Sequence, residues 1–242
     1  MAQHFKLTDY AYAHRGLWSA AGPVENTLTA FTAASAAGFG IELDVRPDRD
    51  GDVVVFHDQD LKRLTGRAET IESLTIKDLK KARLHEGETI PTFRELLDIW
   101  PRELPLLTEL KIDGRTDTKS FARKIGHMLE QYDGPAAAMS FFEDAVRALP
   151  SALMRGQLLP PSAAFSQDAF SDTIDRTLNN GIDYLAVHAS DIATVRNHLP
   201  SDYPVVAWTI TSEAQLRDAY TTNVAIIFEH LDTALVTRHL LP

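Results

Sequence analysis

The chain has 242 residues, of which 44% are hydrophobic and 24% are charged, and its formal net charge at pH 7 is −10. This composition is ordinary for a globular protein of one barrel-sized domain or two small ones. The acidic balance argues against nucleic acid or an anionic membrane surface as a partner. The absence of cysteine excludes disulfide bonds, a thiolate nucleophile and zinc–thiolate sites. No apolar run approaches the length of a membrane span, and the N-terminal segment lacks the apolar core of a signal peptide. We therefore expect a cytoplasmic protein without stable membrane insertion.

Strands and helices alternate along most of the chain. Strands are predicted at 10–13, 41–45, 105–111, 136–141, 153–159, 184–188, 204–210 and 224–229. Helices are predicted at 27–37, 117–131, 142–149, 171–179, 191–198, 212–220 and 231–241. Eight strand–helix units are what a closed parallel α/β barrel, the TIM (β/α)8 barrel, needs. An open doubly wound sheet is the alternative, but no glycine-rich phosphate loop follows any strand.

The region between the second and third barrel strands interrupts this alternation. A turn at 50–52 precedes the β-branched run 53–57, which predicts that 41–57 forms a hairpin. A short helix is expected to begin at Thr75, and Thr92 begins a capping-box pattern that predicts a further helix. We therefore expect one domain over 1–242, with a small insertion at about 46–104.

Three carboxylates lie within the apolar runs of two predicted strands. Residues i and i+2 of a strand share a face, so Glu42 and Asp44 should project together, as should Glu109 and Lys111. At the carboxyl mouth of a barrel the two pairs would face one space, where three carboxylates alone repel one another. One divalent cation with oxygen ligands, Mg²⁺ or Ca²⁺, would resolve this repulsion. Each carboxylate singly could be a surface charge or a partner of Lys111 or Arg46, but the three together favour a metal site.

Histidines end other apolar runs. His14 and His57 each follow a predicted strand, and imidazole is the side chain best able to exchange protons near neutral pH. A single histidine in such a place is more often structural. Two of them beside Arg15, Lys111 and the carboxylates favour acid/base chemistry. His188 also ends a strand and could reach the same mouth.

The charges at this mouth indicate the kind of substrate. The three carboxylates, one divalent cation, Arg15 and Lys111 together carry a charge of about +1, which suits a phosphodiester with its single negative charge. Without the cation the site would carry about −1 and would repel that substrate. We therefore expect a small-molecule phosphodiester substrate and strict dependence on the metal.

Several short motifs follow one another along nearly the whole chain. They are 13-AHRG-16, 25-ENTLTAF-31, 41-IELDV-45, 51-GDVVVFHD-58, 90-IPTFRELL-97, 109-ELK-111 and Trp208 within 204-PVVAWTI-210. Each is a weak signal singly, but the ordered set resembles the glycerophosphodiester phosphodiesterase family. The resemblance implies a TIM barrel with a small insertion after the second strand. It also implies hydrolysis of glycerophosphodiesters to sn-glycerol 3-phosphate and an alcohol.

The resemblance also implies roles for individual residues. By position, His14 and His57 correspond to the catalytic acid/base pair, Glu42, Asp44 and Glu109 to the metal ligands, and Arg15 and Lys111 to the phosphate contacts. The last strand departs from the family pattern, since Glu229 stands where a Thr-Asp pair is usual. Together with Trp208, His188 and the loop 160–172, this residue is a candidate for the substrate pocket.

Two other functions fit the same residues. A lysophospholipase D-like enzyme, or a phosphodiesterase acting on another polyol or sugar phosphodiester, could use the same site. A barrel that binds a phosphorylated polyol without turnover is the alternative from a different class, although such a module has no need of two proton carriers. The sequence leaves open the head group, the choice between Mg²⁺ and Ca²⁺, which histidine is the acid, and the oligomeric state.

Overall fold

A closed parallel barrel is the centre of the structure. The computed structural model describes residues 4–114 and 116–240. The described strands are β1 (Ala11–His14), β2 (Gly40–Pro47), β3 (Val53–Val55), β4 (Leu106–Leu110), β5 (Ala136–Ser140), β6 (Met154–Leu158), β7 (Tyr184–His188), β8 (Val205–Ile210) and β9 (Ala225–Phe228). All of them except β3 pair in parallel, in the order β1-β9-β8-β7-β6-β5-β4-β2, and β1 pairs with β2 to close the ring. The structure therefore confirms the predicted TIM barrel.

Helices lie around the barrel and in the segment between β2 and β4. They are α1 (Leu28–Ala36), α2 (Lys62–Thr65), α3 (Ile76–Leu79), α4 (Phe93–Ile99), α5 (Thr118–Glu130), α6 (Glu143–Ala148), α7 (Gln167–Asn179), α8 (Ile192–His198), α9 (Glu213–Thr221) and α10 (Thr233–Leu240). The capping box predicted at Thr92 is present at the start of α4. The prediction for α7 was wrong at its start. This helix begins at Gln167, not 171, because the Ser166 side chain accepts a hydrogen bond from the Ala169 backbone. Residue 241, at the end of the predicted last helix, lies outside the described residues.

Apolar side chains form two layers, one outside the barrel strands and one inside them. The outer layer joins the strands to the helices, with Phe31, Phe93 and Leu96 among its fully buried members. The inner layer fills the barrel axis with Tyr12, Tyr184 and their neighbours. Because side chains fill the interior, the charged residues at the carboxyl ends of the strands lie above a closed apolar floor.

The segment between β2 and α4, residues 48–91, is the insertion in this structure. β3 pairs antiparallel with β2, so the predicted hairpin is present. Beyond it, Phe56, Leu61 and Ile71 belong to a separate small apolar core. Helix α4, by contrast, packs its apolar residues into the main core, in the place of the helix that follows the second barrel strand. The insertion therefore has its own packing and lies beside the mouth.

Among the described residues, no helix is both long and apolar enough to cross a membrane.

Candidate active site

The loop after β1 brings two residues into an unusual backbone conformation. Arg15 and Asn26 both adopt left-handed φ angles, of 58° and 56°, and the Asn26 backbone N–H donates to the Arg15 carbonyl at 2.9 Å. Such angles are costly for residues other than glycine and cluster at functional sites. Gly16 is needed for two reasons: its φ is 85°, and a Cβ there would lie 2.8 Å from the Ala30 backbone. This loop holds Arg15 over the mouth of the barrel.

Three buried carboxylates meet at the mouth. Glu42, Asp44 and Glu109 each offer an oxygen, and these atoms lie within 4.8 Å of one another. Register explains the arrangement, since Asp44 pairs with Glu109 across β2 and β4, and His14 pairs with Glu42 across β1 and β2. Asn26 braces the group, because its side-chain amide donates to the Asp44 carboxylate at 2.8 Å. The predicted ligand trio is therefore one compact cluster.

Two cations lie against these carboxylates. Lys111 Nζ is 3.1 Å from Asp44 Oδ1 and 2.6 Å from Glu109 Oε1. Arg15 Nε is 3.3 Å from Asp44 Oδ2. Three carboxyl groups thus share two cations in a place shielded from water, where unbalanced charge is costly.

The surroundings shift the pKa values of the three carboxyl groups in different directions. Burial raises the pKa of Glu42 well above its usual value, and the charges of Asp44 and Glu109 add to that. Burial also raises the pKa of Glu109, to about 7, against the opposing charge of Lys111. Burial alone would raise the pKa of Asp44 too, but Lys111 and Arg15 hold it well below its usual value. The cluster therefore carries more carboxylate than its own cations neutralise, and a divalent ion with oxygen ligands fits this donor set.

Each histidine at the mouth has a carboxylate partner on the same ring nitrogen. His14 Nδ1 is 3.2 Å from Glu229 Oε1, at the end of β9. His57 Nδ1 is 2.7 Å from Asp58 Oδ1. A carboxylate acceptor favours the proton on Nδ1, which leaves Nε2 of each ring for chemistry. Burial lowers the pKa of His57, although the charge of Asp44 opposes this shift.

A cavity of about 170 Å³ joins these groups. One wall is polar and consists of His14, Arg15, Glu42, His57, Glu109 and Lys111. The other wall is mostly apolar and includes Met139, Phe141, Leu158, Trp208 and Ile227. Phe141 packs edge-on against Trp208, with ring centroids 5.7 Å apart. The volume equals roughly five or six water molecules at about 30 Å³ each, which suits a small polar ligand.

Comparison with known proteins agrees with this geometry. The profile of the glycerophosphoryl diester phosphodiesterase family matches residues 14–141, more than half of the chain. The chain belongs to this family. The matched range includes every residue of the polar wall of the cavity.

Several individual relatives in the family match only part of the chain, with moderate sequence identity. A glycerophosphodiester phosphodiesterase of Caldanaerobacter subterraneus is 36% identical over 95 residues, which cover 36% of this chain and 38% of that protein. Human lysophospholipase D GDPD1 is 30% identical over 135 residues, covering 50% of this chain and 41% of that protein. Matches to three curated relatives, from Mycobacterium tuberculosis, Bacillus subtilis and C. subterraneus, cover 34%, 52% and 38% of their lengths. The chain thus spans about a third to a half of the curated relatives that it matches first.

A solved structure covers nearly the whole chain. It is that of an Oleispira antarctica phosphodiesterase in complex with the product sn-glycerol-3-phosphate. It is similar to this chain with a TM-score of 0.80 and 25% sequence identity, over 96% of each chain.

Most of the residues selected from the sequence lie together. The structure brings all seven charged or imidazole candidates to one mouth, with Trp208 on the opposite wall and Glu229 behind His14. His188 is not among the described residues that line the cavity. It packs against the edge of Trp208, at 5.3 Å between ring centroids, and its Nδ1 contacts Ser190 Oγ. His188 is therefore a rim residue.

Sequence reasoning missed the groups that hold these residues. Glu25 is buried and accepts hydrogen bonds from both Arg15 and Arg63. Asp58 accepts from Arg63. Glu25 and Asp58 lie inside the motifs 25-ENTLTAF-31 and 51-GDVVVFHD-58, so their positions in these motifs could have indicated a role. Arg63 lies in none of the motifs.

Larger cavities lie elsewhere in the described structure. One of about 600 Å³ lies at the opposite end of the barrel, beside Tyr10 and Tyr220. One of about 310 Å³ lies between the insertion and α5, beside Arg49 and Phe121. A third, of about 530 Å³, lies between α8 and α9, beside His188. None of these three is lined by the histidine pair or by the carboxylate trio, so the smaller cavity at the mouth is the candidate active site.

Proposed function

We propose that this protein is a metal-dependent phosphodiesterase that hydrolyses glycerophosphodiesters to sn-glycerol 3-phosphate and an alcohol. The observation that carries the proposal is the convergence of two histidines, three carboxylates and two cations at the mouth of the barrel, where all of them but Asp44 line one cavity. Membership of the family supports it, as does the O. antarctica relative in complex with sn-glycerol-3-phosphate. The substrate is a small phosphodiester, and nucleic acid is not expected to bind.

The cofactor is one divalent cation, Mg²⁺ or Ca²⁺, held by Glu42, Asp44 and Glu109. The buried oxygens lie close enough together for an ion with metal–oxygen distances of roughly 2.1 to 2.5 Å. When bound, the ion supplies positive charge beside the phosphate and lowers the pKa of a nearby hydroxyl group.

The two histidines move protons through their Nε2 atoms. Glu229 and Asp58 occupy the Nδ1 sides, so Nε2 is the nitrogen left to each imidazole for proton transfer, and that of His14 lies 3.9 Å from Glu42 Oε2. One histidine takes the proton of the glycerol 2-hydroxyl as it attacks phosphorus, and the other gives a proton to the leaving alcohol. Water then opens the resulting cyclic phosphate to give sn-glycerol 3-phosphate. The lowered pKa of His57 favours it as the proton acceptor.

Arg15 and Lys111 orient the phosphate. Both reach the cavity from positions fixed by buried carboxylates, Glu25 and Asp44 for the arginine and Asp44 and Glu109 for the lysine. A cation held in place in this way loses little side-chain entropy when it binds an anion. Their charges stabilise the negative charge that develops on phosphate oxygens during cleavage.

A lysophospholipase D activity is the second candidate. The apolar wall continues to the rim, where Phe141 and Phe142 are both exposed. Such a wall could accommodate part of an acyl chain. The human relative that carries this name supports the same possibility.

The organisation of the chain is also proposed. We infer that residues 1–242 act as one domain, since the insertion supplies His57 to the mouth that the barrel strands form. The cytoplasmic location expected from the sequence stays a prediction, which fractionation of the source cells would test.

The test is a panel of substrates with defined head groups. Release of sn-glycerol 3-phosphate is measured from the choline, ethanolamine, glycerol and inositol esters, and choline release from lysophosphatidylcholine. Each reaction is run with Mg²⁺, with Ca²⁺ and with chelator. The proposal expects metal-dependent release from at least one glycerophosphodiester and a loss of about 100-fold or more in His14→Ala and His57→Ala.

A matched control and two contrary results complete the design. His198 forms an exposed pair with Asp175 far from the mouth, so His198→Ala should keep full activity. Activity that survives thorough chelation would remove the metal from the proposal. Binding of glycerol 3-phosphate without turnover of any ester would favour the non-catalytic barrel instead.

A further inference from the structure

Arg63 lies in the insertion and links two parts of the mouth that are distant in sequence. It follows His57 by six positions and lies in the short helix α2. Its guanidinium Nε and Nη2 donate to the two oxygens of Asp58 at 2.7 and 3.2 Å. Its Nη1 and Nη2 donate to the two oxygens of Glu25 at 2.6 and 2.7 Å. One guanidinium thus makes a paired contact with each of two carboxylates.

On one side, this contact reaches His57. Asp58 holds His57 Nδ1 at 2.7 Å, and Arg63 fixes both oxygens of that same carboxylate. A carboxylate that is free to rotate would no longer define the position of the imidazole ring. The geometry of Arg63 therefore limits the orientation of His57 Nε2.

On the other side, the contact reaches Arg15. Glu25 is almost fully buried, and its Oε1 accepts from both Arg15 Nη1, at 2.8 Å, and Arg63 Nη2. Arg15 in turn lies 3.3 Å from Asp44. If Arg63 were removed, a buried carboxylate would be left with Arg15 as its cation and would draw that guanidinium away from the mouth. The contacts form one continuous series: His57, Asp58, Arg63, Glu25, Arg15 and Asp44.

We propose that Arg63 is a positioning residue, through which the insertion orients both His57 and Arg15 for the reaction. The guanidinium itself does not line the cavity among the described residues, so it acts through its two carboxylate partners. The role needs the planar fork of arginine, because a lysine ammonium has no coplanar pairs of N–H donors and cannot make a two-point contact with each of two carboxylates. This inference rests on the proposed function for its kinetic readout, but not for its spectroscopic one.

Three variants test the proposal by kinetics. Arg63→Ala should lower kcat by about 10- to 100-fold, the usual cost of losing a residue that orients a group in the site, and should raise KM through Arg15. Arg63→Lys should restore little of this loss. In an Asp58→Asn background, the effect of Arg63→Ala on kcat should nearly vanish while its effect on KM persists.

The matched control lies in the same insertion. Arg67 pairs with Glu69 at 2.7 Å, and no described contact connects it to the mouth. Arg67→Ala removes an arginine and an ion pair in the same way, and should leave kcat and KM unchanged. Melting temperatures of all variants show whether any loss reflects unfolding.

Imidazole ¹⁵N NMR gives the readout that does not depend on turnover. The spectrum of His57, assigned by comparison with His57→Gln, should show the proton on Nδ1 in the wild type and in Arg67→Ala. In Arg63→Ala the two tautomers should become mixed. If the spectrum and kcat both stay as in the wild type, the proposal is wrong.

The remaining outcomes are also decisive. Equal changes in Arg63→Ala and Arg67→Ala would mean general loosening of the insertion and would overturn the proposal. Full rescue by Arg63→Lys would mean that charge alone matters, and would overturn it as well. If the wild type cleaves no phosphodiester but the His57 spectrum changes only in the Arg63 variants, the proposed function fails while the positioning role of Arg63 stands.

Discussion

The orientation and ionisation of single residues at the mouth depend on their hydrogen-bond partners. His14 and Glu229 are 215 positions apart, yet the ends of β1 and β9 bring His14 Nδ1 within 3.2 Å of the carboxylate. Burial raises the pKa of Glu229, but the hydrogen bond and charge of His14 outweigh it and lower that pKa. Glu229 is therefore ionised at neutral pH and holds His14 through its Nδ1 atom.

Replacement of Glu229 tests this pairing. Glu229→Gln keeps an oxygen acceptor but removes the charge, and its amide can also present a donor to His14 and favour the wrong tautomer. We expect kcat to fall by about 10- to 100-fold with little change in melting temperature.

Steady-state kinetics on the best substrate of the panel measure the effect. The control is Asp175→Asn, which makes the same change beside the exposed His198. An unchanged kcat in Glu229→Gln would show that His14 does not need this carboxylate.

At the scale of secondary-structure elements, side chains from neighbouring strands fill the barrel interior because their sizes are complementary. Gly156 on β6 lies under the ring of Tyr184 on β7, and a Cβ there would be 2.2 Å from the ring. Tyr184 is fully buried and forms part of the inner apolar layer beneath the mouth. The small residue on one strand therefore makes room for the large one on the next.

A methyl group at this position should strain the barrel. Gly156→Ala is expected to lower the free energy of unfolding by about 1 to 3 kcal/mol, because a closed barrel gives the ring little room to move. Urea denaturation gives this quantity directly. Gly114→Ala is the control, since a Cβ there meets no atom within 4 Å. Equal stability of the two variants would show that the ring can move aside.

For the whole molecule, the excess of carboxyl groups over cations at the mouth would link metal binding to stability. The protein carries a net charge of −10, and the trio holds three of its carboxyl groups in a buried place. An ion that binds only the folded state stabilises it, because the scattered carboxylates of the unfolded chain do not form the site.

Thermal unfolding measures this linkage without any assay of activity. At about 100 times the dissociation constant, Mg²⁺ or Ca²⁺ should stabilise the fold by about 2.7 kcal/mol. This corresponds to a rise in melting temperature of roughly 5 to 10 °C for a chain of this length. Asp44→Asn should lose the response, whereas Glu143→Gln, on the surface, should keep it.

Ionic strength is matched with NaCl, so that screening of the net charge is the same in every sample. If the melting temperature of Asp44→Asn rose by the same amount on addition of the ion, the ion would bind elsewhere.

The sequence determined the barrel and the groups that meet at its mouth. Alternation of strands and helices is a local property, and the facing of i and i+2 side chains follows from the strand itself. Parallel closure brings all carboxyl ends to one side, so Glu42, Asp44 and Glu109 meet once the strand count is known. His57 could be placed for the same reason, since the β-branched run before it predicts the hairpin.

Only the tertiary structure decided which groups hold these residues. Arg63 lies in a short helix with no pattern of its own, and its contacts with Glu25 arise because the insertion folds back over the loop after β1. The pairing of Glu229 with His14 depends on ring closure between the first and last strands. Side-chain periodicity fixes the face on which a residue lies, whereas its partner across a long loop is chosen by packing of the whole chain. The sequence therefore determined which groups meet at this site, and the tertiary structure decided how those groups are held in position.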